Sequence, residues 1–361
     1  MSIPVALYPF TSELLPIVKY FNKLQNKYSL SKLAAPSGLS LTGRDAAHAR
    51  NHQNTGFIVS DVLDMQDPSW SELFLINSQK ITKNLPDANE SLLKRALDAG
   101  KSVLYFDAGM KKPSVAVKED TILKDHAWHM DLPTPTKWLR PGRYNSASVA
   151  LVLVGGLVEE ADVLDAVLGL AYEMRKDNLR PVVFTNHPLC GIFDSYNFDH
   201  IFNNNALSEA EKIQSLNEFI YGIEQLKRPG AIIVEAPDAV MRFSDAAPNG
   251  FGIRTYMLCQ AMPPDCFICC APLDLANAET LNGLNLVFTY RFNTQISYVH
   301  VSNAIFDNTA IAYANEISCV YTSLDMVREQ IDKETAQLSI PLFDIVSDGI
   351  KPLYAHIRDN L

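Results

Sequence analysis

The sequence predicts an α/β protein with two parallel-sheet domains, the N-terminal one Rossmann-like and the C-terminal one a degenerate phosphate-loop-like domain. Short apolar runs alternate with segments of helical spacing through both halves, the pattern of strand–helix–strand units. The alternation fails between Asp131 and Ser148, where Pro133, Pro135, Pro141 and Gly142 punctuate the chain. It restarts with Val149-Ala-Leu-Val-Leu-Val-Gly-Gly156, an apolar run that ends in two glycines before a helix start. Such a junction holds phosphate in nucleotide-binding α/β domains. The expected organisation is therefore a first domain over 1–130, a linker over 131–148 and a second domain over 149–361.

Each element follows from local pattern. Ile3–Tyr8 reads as a buried strand, and Thr11 or Ser12 can cap a helix running to about Asn26. Leu30–Ala35, Phe57–Val59, Leu73–Asn77 and Ser102–Phe106 read as further strands, and Pro86–Ala99 as a helix closed by Gly100. Lys111–Met130 has no readable period. In the second half, Val149–Val154, Pro181–Thr185, Ala231–Glu235, Cys266–Ala271 and Ile296–Val301 read as strands. Glu160–Asp177 and Ser208–Lys227 read as helices, the latter with Ser208 and Glu211 at capping-box spacing. A helix near Leu324–Thr335 and a C-terminal helical tail complete the chain.

Composition limits the function classes. The chain has 361 residues, and its 31 basic and 41 acidic side chains give a formal charge of −10. That sign argues against nonspecific nucleic-acid binding and against an anionic membrane surface. No apolar run reaches the length of a membrane span. The N-terminus lacks the pattern of a signal peptide. Six cysteines without such a signal point to reduced thiols and a cytoplasmic setting.

Ligands of parallel α/β sheets bind beyond the carboxyl ends of the strands. That rule selects Gly155, Gly156 and Glu159 after one strand, Thr185, Asn186 and His187 after another, and Glu235 with Asp238 after a third. In the first domain it selects Gly43, Arg44 and Asp45, and also Asn77 and Ser78. A phosphate loop would end in Gly-Lys-Ser/Thr. Here Glu159 and Glu160 stand at the helix start, which suits the helix dipole but repels phosphate. The alternative is a tight turn that needs glycine and holds no ligand. Glu235 could hold Mg²⁺, as an acid at such a strand end does in phosphate-loop enzymes, or could be a capping or ion-paired carboxylate. Arg44 and Asp45 could grip an anion and an amine, but an internal ion pair tying the loop is the simpler reading; Arg254 has the same ambiguity. His126 and His129 have helical spacing but no third ligand nearby. His187 is the better acid–base candidate. Cys266-Phe-Ile-Cys269-Cys270 resembles half a metal or redox motif. Without a second pair it reads as core packing of an apolar strand, and no metal site is expected. Neither a Gly-x-Ser-x-Gly elbow nor a His-Glu-x-x-His helix occurs.

The order of several motifs is more specific than any one of them. Ala6-Leu-Tyr-Pro-Phe10, Gly43-Arg-Asp-Ala46, the Val149–Gly156 turn, Ala231-Ile-Ile-Val-Glu-Ala-Pro237 and Asn249-Gly-Phe-Gly-Ile253 follow one another along the chain. In this order the chain resembles the bacterial peptide maturation system protein family, from roughly Ser2 to Ile340. The resemblance implies a setting beside radical-SAM enzymes that modify ribosomally made precursor peptides. More distantly, the layout is similar to two-domain proteins whose phosphate-loop domain is related to dethiobiotin synthetase. By position, Gly155 and Gly156 then match the phosphate-loop turn and Glu235 the acidic strand end. The missing Lys and Ser/Thr weigh against ATP hydrolysis.

The function expected is that of an accessory protein in peptide maturation, binding a precursor peptide, a radical-SAM maturase or a nucleotide with Mg²⁺ in an interdomain cleft. A nucleotide-dependent ligase or transferase with an altered loop is the second reading, and a non-catalytic scaffold the third. A homo-oligomer is compatible with the sequence.

Overall fold

The computed structural model describes residues 2–36, 41–77, 86–107, 144–158, 160–242, 249–307, 309 and 317–360. Most of the expected linker, together with Ser78, Lys111–Met130, His126, His129 and Glu159, lies outside the described residues. The chain divides into two compact units, Met1–Met130 with Pro188–Phe193 and Asp131–His187 with Asp194–Leu361.

In the first unit the strands β1 (Ile3–Tyr8), β2 (Tyr28–Ala34), β3 (Val59–Ser60), β4 (Glu72–Asn77) and β5 (Ser102–Asp107) form one parallel sheet in the order β3-β2-β1-β4-β5. This is the strand order of one Rossmann-type half and a flanking extension. The first helix, α1 (Leu15–Leu24), starts later than Thr11 predicts. Thr11 makes no side-chain cap, and a 3-10 turn over Ser12–Leu14 intervenes before Pro16 enters the first helical turn. The fixed φ of proline suits that position. α1 buries Leu15, Ile17, Val18, Phe21 and Leu24. On another face of the sheet, α2 (Pro86–Asp98) sets Leu92, Leu93 and Ala96 in a core with Trp70, Leu73 and Leu75.

The second unit holds a six-stranded parallel sheet in the order β13-β10-β9-β6-β8-β7. Its strands are β6 (Leu151–Gly156), β7 (Pro181–Phe184), β8 (Ala231–Glu235), β9 (Cys266–Ala271), β10 (Tyr298–Val301) and β13 (Leu342–Phe343). The strands β11 (Ala304–Phe306) and β12 (Cys319–Tyr321) form a separate antiparallel pair. β6, β9 and β10 are buried throughout, which explains their continuous apolar character.

The helices are α3 (Val163–Lys176), α4 (Asp199–Phe202), α5 (Glu209–Lys227), α6 (Ile253–Ala261), α7 (Ala278–Phe292), α8 (Leu324–Thr335) and α9 (Lys351–Asn360). At α5 both halves of the expected capping box form between Ser208 and Glu211. Leu216, Ile220 and Ile223 of α5 enter the main core beside Phe184, Phe198 and Phe267. The rings of Phe184 and Phe198 stack with centroids 5.0 Å apart.

The topology locates the crevice. From β6 the chain crosses toward β7 at one edge, whereas from β9 it moves toward β10 and the opposite edge. Adjacent strands whose outgoing connections diverge leave a gap beyond their carboxyl ends. In this sheet that gap lies beyond Gly156 and Ala271.

Candidate functional site

Gly155 and Gly156 are the last two residues of β6, in register with Cys269 and Cys270, rather than the loop that follows. This corrects the expected turn at these positions: the chain continues as strand because both glycines still pair with β9. Their lack of side chains serves packing. A Cβ on Gly155 would stand 2.7 Å from Val240 Cγ1 and 3.2 Å from Phe267 Cε2. A Cβ on Gly156 would stand 2.5 Å from Val163 Cγ2 and 2.6 Å from the Val158 carbonyl oxygen. The Gly156 carbonyl accepts from Val240 N–H, and the next residue, Leu157, donates its N–H to Cys270. Leu157, Val158 and Ala161 are buried. Glycine at both positions is therefore required by packing against the chain's own groups.

The start of α3 carries acids that the strand-end rule did not select. Asp162 takes a left-handed conformation (φ 62°), and Asp165 stands in the first helical turn. Asp162 Oδ2 accepts from Ser302 Oγ at 2.5 Å and faces His300 Nε2 at 3.4 Å. All three side chains are fully buried. His300 Nδ1 lies 3.2 Å from the Phe343 carbonyl oxygen and 3.4 Å from Ile345 N. Ser302 Oγ also accepts from Ala304 N–H. Asp162 thus ties α3 to the carboxyl ends of β10 and β13 beside the crevice. Asp162 makes no side-chain cap to α3, but with Asp165 it places two buried carboxyl groups at the helix start, where a phosphate would have to approach.

On the other side of β6 the expected residues do come together. Glu235 closes β8 in register with Val154, half-buried. Thr185 Oγ1 donates to Glu235 Oε2 and accepts from His187 N–H at 3.1 Å. Asn186 Nδ2 donates to the Pro237 carbonyl at 3.2 Å, and its buried Oδ1 has no hydrogen-bond donor among the described residues. Gly155 lies beside this group, since its absent Cβ would meet Ala236 Cβ at 3.1 Å. A threonine, an amide and a carboxylate at adjacent strand ends make a polar cluster that can hold a hydroxyl, an amine or a hydrated cation.

Asp238 belongs to structure. Its carboxylate accepts from Arg254 N–H and Thr255 N–H at 3.1 and 2.9 Å and from Thr255 Oγ1 at 2.6 Å, which caps α6. Arg254 itself donates to Asn203 and lies over the Phe202 ring.

In the first unit, Gly43 has φ 76° and donates its N–H to Val59. Asp45 is a loop staple. It accepts from Ala47 N–H, Thr55 N–H, Thr55 Oγ1 and Gly56 N–H at 2.7–3.0 Å. Arg44 lies against the His48 imidazole and does not pair with Asp45. The expected internal ion pair does not form: Asp45 ties the loop through three backbone N–H groups and the Thr55 hydroxyl instead of through Arg44. Burial alone would push the Asp45 carboxyl up, but the donors on Thr55, Ala47 and Gly56 outweigh it and hold it below its ordinary value. A depressed carboxylate stabilises the fold in full above its unfolded value, about pH 4, and that contribution fades as pH falls through the folded value. Asp45→Asn is expected to unfold less steeply between about pH 4 and pH 2 than the parent chain. Acid titration followed by circular dichroism decides this, and superimposable curves would rule it out.

Five of the six cysteines are buried, and Cys319, at the start of β12, is half-buried. Burial pushes the thiols of Cys259, Cys266 and Cys269 up to about 12, and that of Cys270 well above its ordinary value. Burial in an apolar core disfavours the thiolate form at these positions, which suits packing as small hydrophobes.

No protein-family model and no curated protein matches the chain. Among solved structures, a DUF1611 family protein from Anabaena variabilis is similar over the full length of both chains, with a TM-score of 0.59 and 13% identity over 99% of this chain and 100% of that one. The likeness is one of fold. Partial likenesses extend to the hydrogenase maturation factor HypB from Archaeoglobus fulgidus, with a TM-score of 0.31 and 7% identity over 59% of this chain and 89% of that one. A nucleotide-binding protein from the same organism, in complex with ADP, gives 0.29 and 11% identity over 56% and 84%. Neither of these two is close enough to carry an argument about this chain. Among the described residues, no helix is long and apolar enough to cross a membrane.

Proposed function

We propose that this chain is a cytoplasmic accessory protein in the maturation of a ribosomally synthesised peptide, one that does not turn over nucleotide. It would act by holding a precursor peptide or its radical-SAM maturase. The observation that carries the non-hydrolytic part is the crowding at the two glycines that end β6, with acids at the helix start that follows. Val240, Phe267, Val163 and the Val158 carbonyl stand where side chains on Gly155 and Gly156 would lie, and Asp162 and Asp165 stand at the helix start. The peptide setting is supported by the ordered motifs from Ala6-Leu-Tyr-Pro-Phe10 to Asn249-Gly-Phe-Gly-Ile253. The test uses the full chain with the precursor peptide and the maturase encoded beside it. Expected is a complex that survives gel filtration, with ATP turnover no faster than in a protein-free control. Retention of neither partner would overturn the reading.

One observation favours a second reading, a nucleotide-dependent ligase or transferase. Glu235, hydrogen-bonded by Thr185, ends the strand next to β6. That is where phosphate-loop enzymes place the acid that holds Mg²⁺. Thermal unfolding with Mg²⁺ and ATP, GTP or ADP separates the two, because a ligand bound only by the folded chain must raise its stability. A rise abolished by Glu235→Gln would favour the enzyme. No shift at millimolar nucleotide, on the order of ten times a weak dissociation constant, leaves the accessory reading in place.

A further inference from the structure

We propose that two copies of this chain pair through α7, antiparallel and about a two-fold axis. α7 is apolar on both sides. Leu281, Leu284, Phe288 and Phe292 enter the core. On the opposite face Leu286, Val287 and Tyr290 are 61%, 42% and 89% exposed, and Gly283 lies between them and the first turn. Large apolar side chains on the exposed face as well as on the buried one call for a cover on the outer face.

The spacing of the face says what covers it. An axis midway between Leu286 and Val287 sets Leu286 of one copy against Val287 of the other. The same axis sets Tyr290, the most exposed large side chain, against Gly283, which has no side chain. Nothing lies within 4 Å of where a Gly283 Cβ would stand, so the hollow is open to an incoming ring. One operation satisfies every exposed apolar position, as a self-complementary two-fold interface requires.

Charge fixes the direction. Glu279 in the first turn and Arg291 in the last are the only charged residues of the helix. Antiparallel pairing brings each carboxylate toward the guanidinium end of its mate and opposes the helix dipoles, whereas parallel pairing stacks like on like. The stretch of α7 between them carries no charge, so two chains of formal charge −10 can meet there without setting like charges of this helix against each other. The apolar surface also continues beyond the helix. Arg291 Nη2 donates to the Phe251 and Gly252 carbonyls at 2.5 and 3.3 Å, tying that turn to the end of α7. Phe251 and Ile253 there are 48% and 51% exposed.

Sedimentation velocity of the full chain from about 1 to 100 µM tests the pairing, a range that spans the affinity of ordinary reversible dimers. Expected is a concentration-dependent dimer. Val287→Glu and Gly283→Trp should each weaken it on the order of a hundredfold or more, by burying a charge and by filling the hollow. Because Gly283 faces open space within one chain, Gly283→Trp should leave the circular dichroism of the monomer unchanged and should not lower its melting, since Trp suits a helix interior better than Gly. Leu226→Glu, at another exposed apolar position on α5, should dimerise like the parent. A parent chain that stays monomeric throughout, or a dimer that persists in both α7 variants, overturns the proposal.

Discussion

Gly252→Ala is expected to destabilise the second unit by about 3 kcal/mol or more, the sum of a left-handed backbone penalty and a steric one. Asn249-Gly-Phe-Gly252 turns the chain into α6 through three consecutive left-handed residues, Gly250, Phe251 and Gly252, with φ of 65°, 57° and 65°. At Gly252 an alanine methyl would stand 2.5 Å from the Val240 carbonyl oxygen and 2.7 Å from its carbon. Both are backbone atoms, and Val240 is held by its own N–H bond to the Gly156 carbonyl beside β6. The clash can be relieved only by moving α6 away from the sheet, which would also pull Thr255 off Asp238. Gly250 is the control. It shares the φ, but its nearest neighbour would be the end of the Asp238 side chain at 3.2 Å, so Gly250→Ala should cost about 1–2 kcal/mol, mainly the backbone penalty. Thermal melts of the two variants test the ordering. A Gly252→Ala chain that melts within a degree of the parent would show that the turn yields more easily than its packing implies.

The same turn shows how far the sequence could be read. The motif Asn249-Gly-Phe-Gly-Ile253 was visible, but its role was not, because the atoms that demand glycine come from Val240 and the cap comes from Asp238. α6 lacked a start signal for that reason: its capping carboxylate sits across a loop. α7 was missed because apolar residues on both faces leave no helical period. The two-residue strand β13 and the short pair β11 and β12 are below the length at which alternation can be recognised. By contrast, Ala231–Glu235, Cys266–Ala271 and Leu324–Thr335 were legible to the residue, since each apolar or amphipathic run is closed by polar or turn residues.

At the site, the strand-end rule found Thr185, Asn186 and Glu235, which depend only on where strands stop. It did not foresee that Gly155 and Gly156 remain inside β6, because the strand they pair with and the groups crowding Gly155, Val240 and Phe267, lie far along the chain. It also passed over His300 and Ser302. Applied to the strand that ends at Val301, the same rule would have selected Ser302. Its partner Asp162 was read as part of a helix that in fact starts at Val163.

Asp162→Ala is expected to lower the stability of the second unit by about 3 kcal/mol, and by roughly 10 °C in melting temperature for a domain of this size. Two losses add. Alanine cannot accept from Ser302 Oγ and His300 Nε2, which would be left buried with a missing partner. Alanine is also disfavoured at φ 62°, where Asp and Asn are tolerated. Two further substitutions separate these contributions. Asp162→Asn keeps the backbone preference and one acceptor oxygen, so it should lose the least. Asp162→Gly frees the backbone but removes the acceptor, so it should fall between Asn and Ala. The order Asn, Gly, Ala from mildest to most severe marks Asp162 as both a left-handed turn residue and the tie between α3 and β10. If glycine proved milder than asparagine, backbone strain alone would be the cause and the buried hydrogen bonds would contribute little. Ser302→Ala gives an independent reading of the same tie. It removes both the 2.5 Å donor to Asp162 and the acceptor of Ala304 N–H while leaving the Asp162 turn untouched, and should cost about 2–3 kcal/mol, the upper part of the range for a buried hydrogen bond to a charged group.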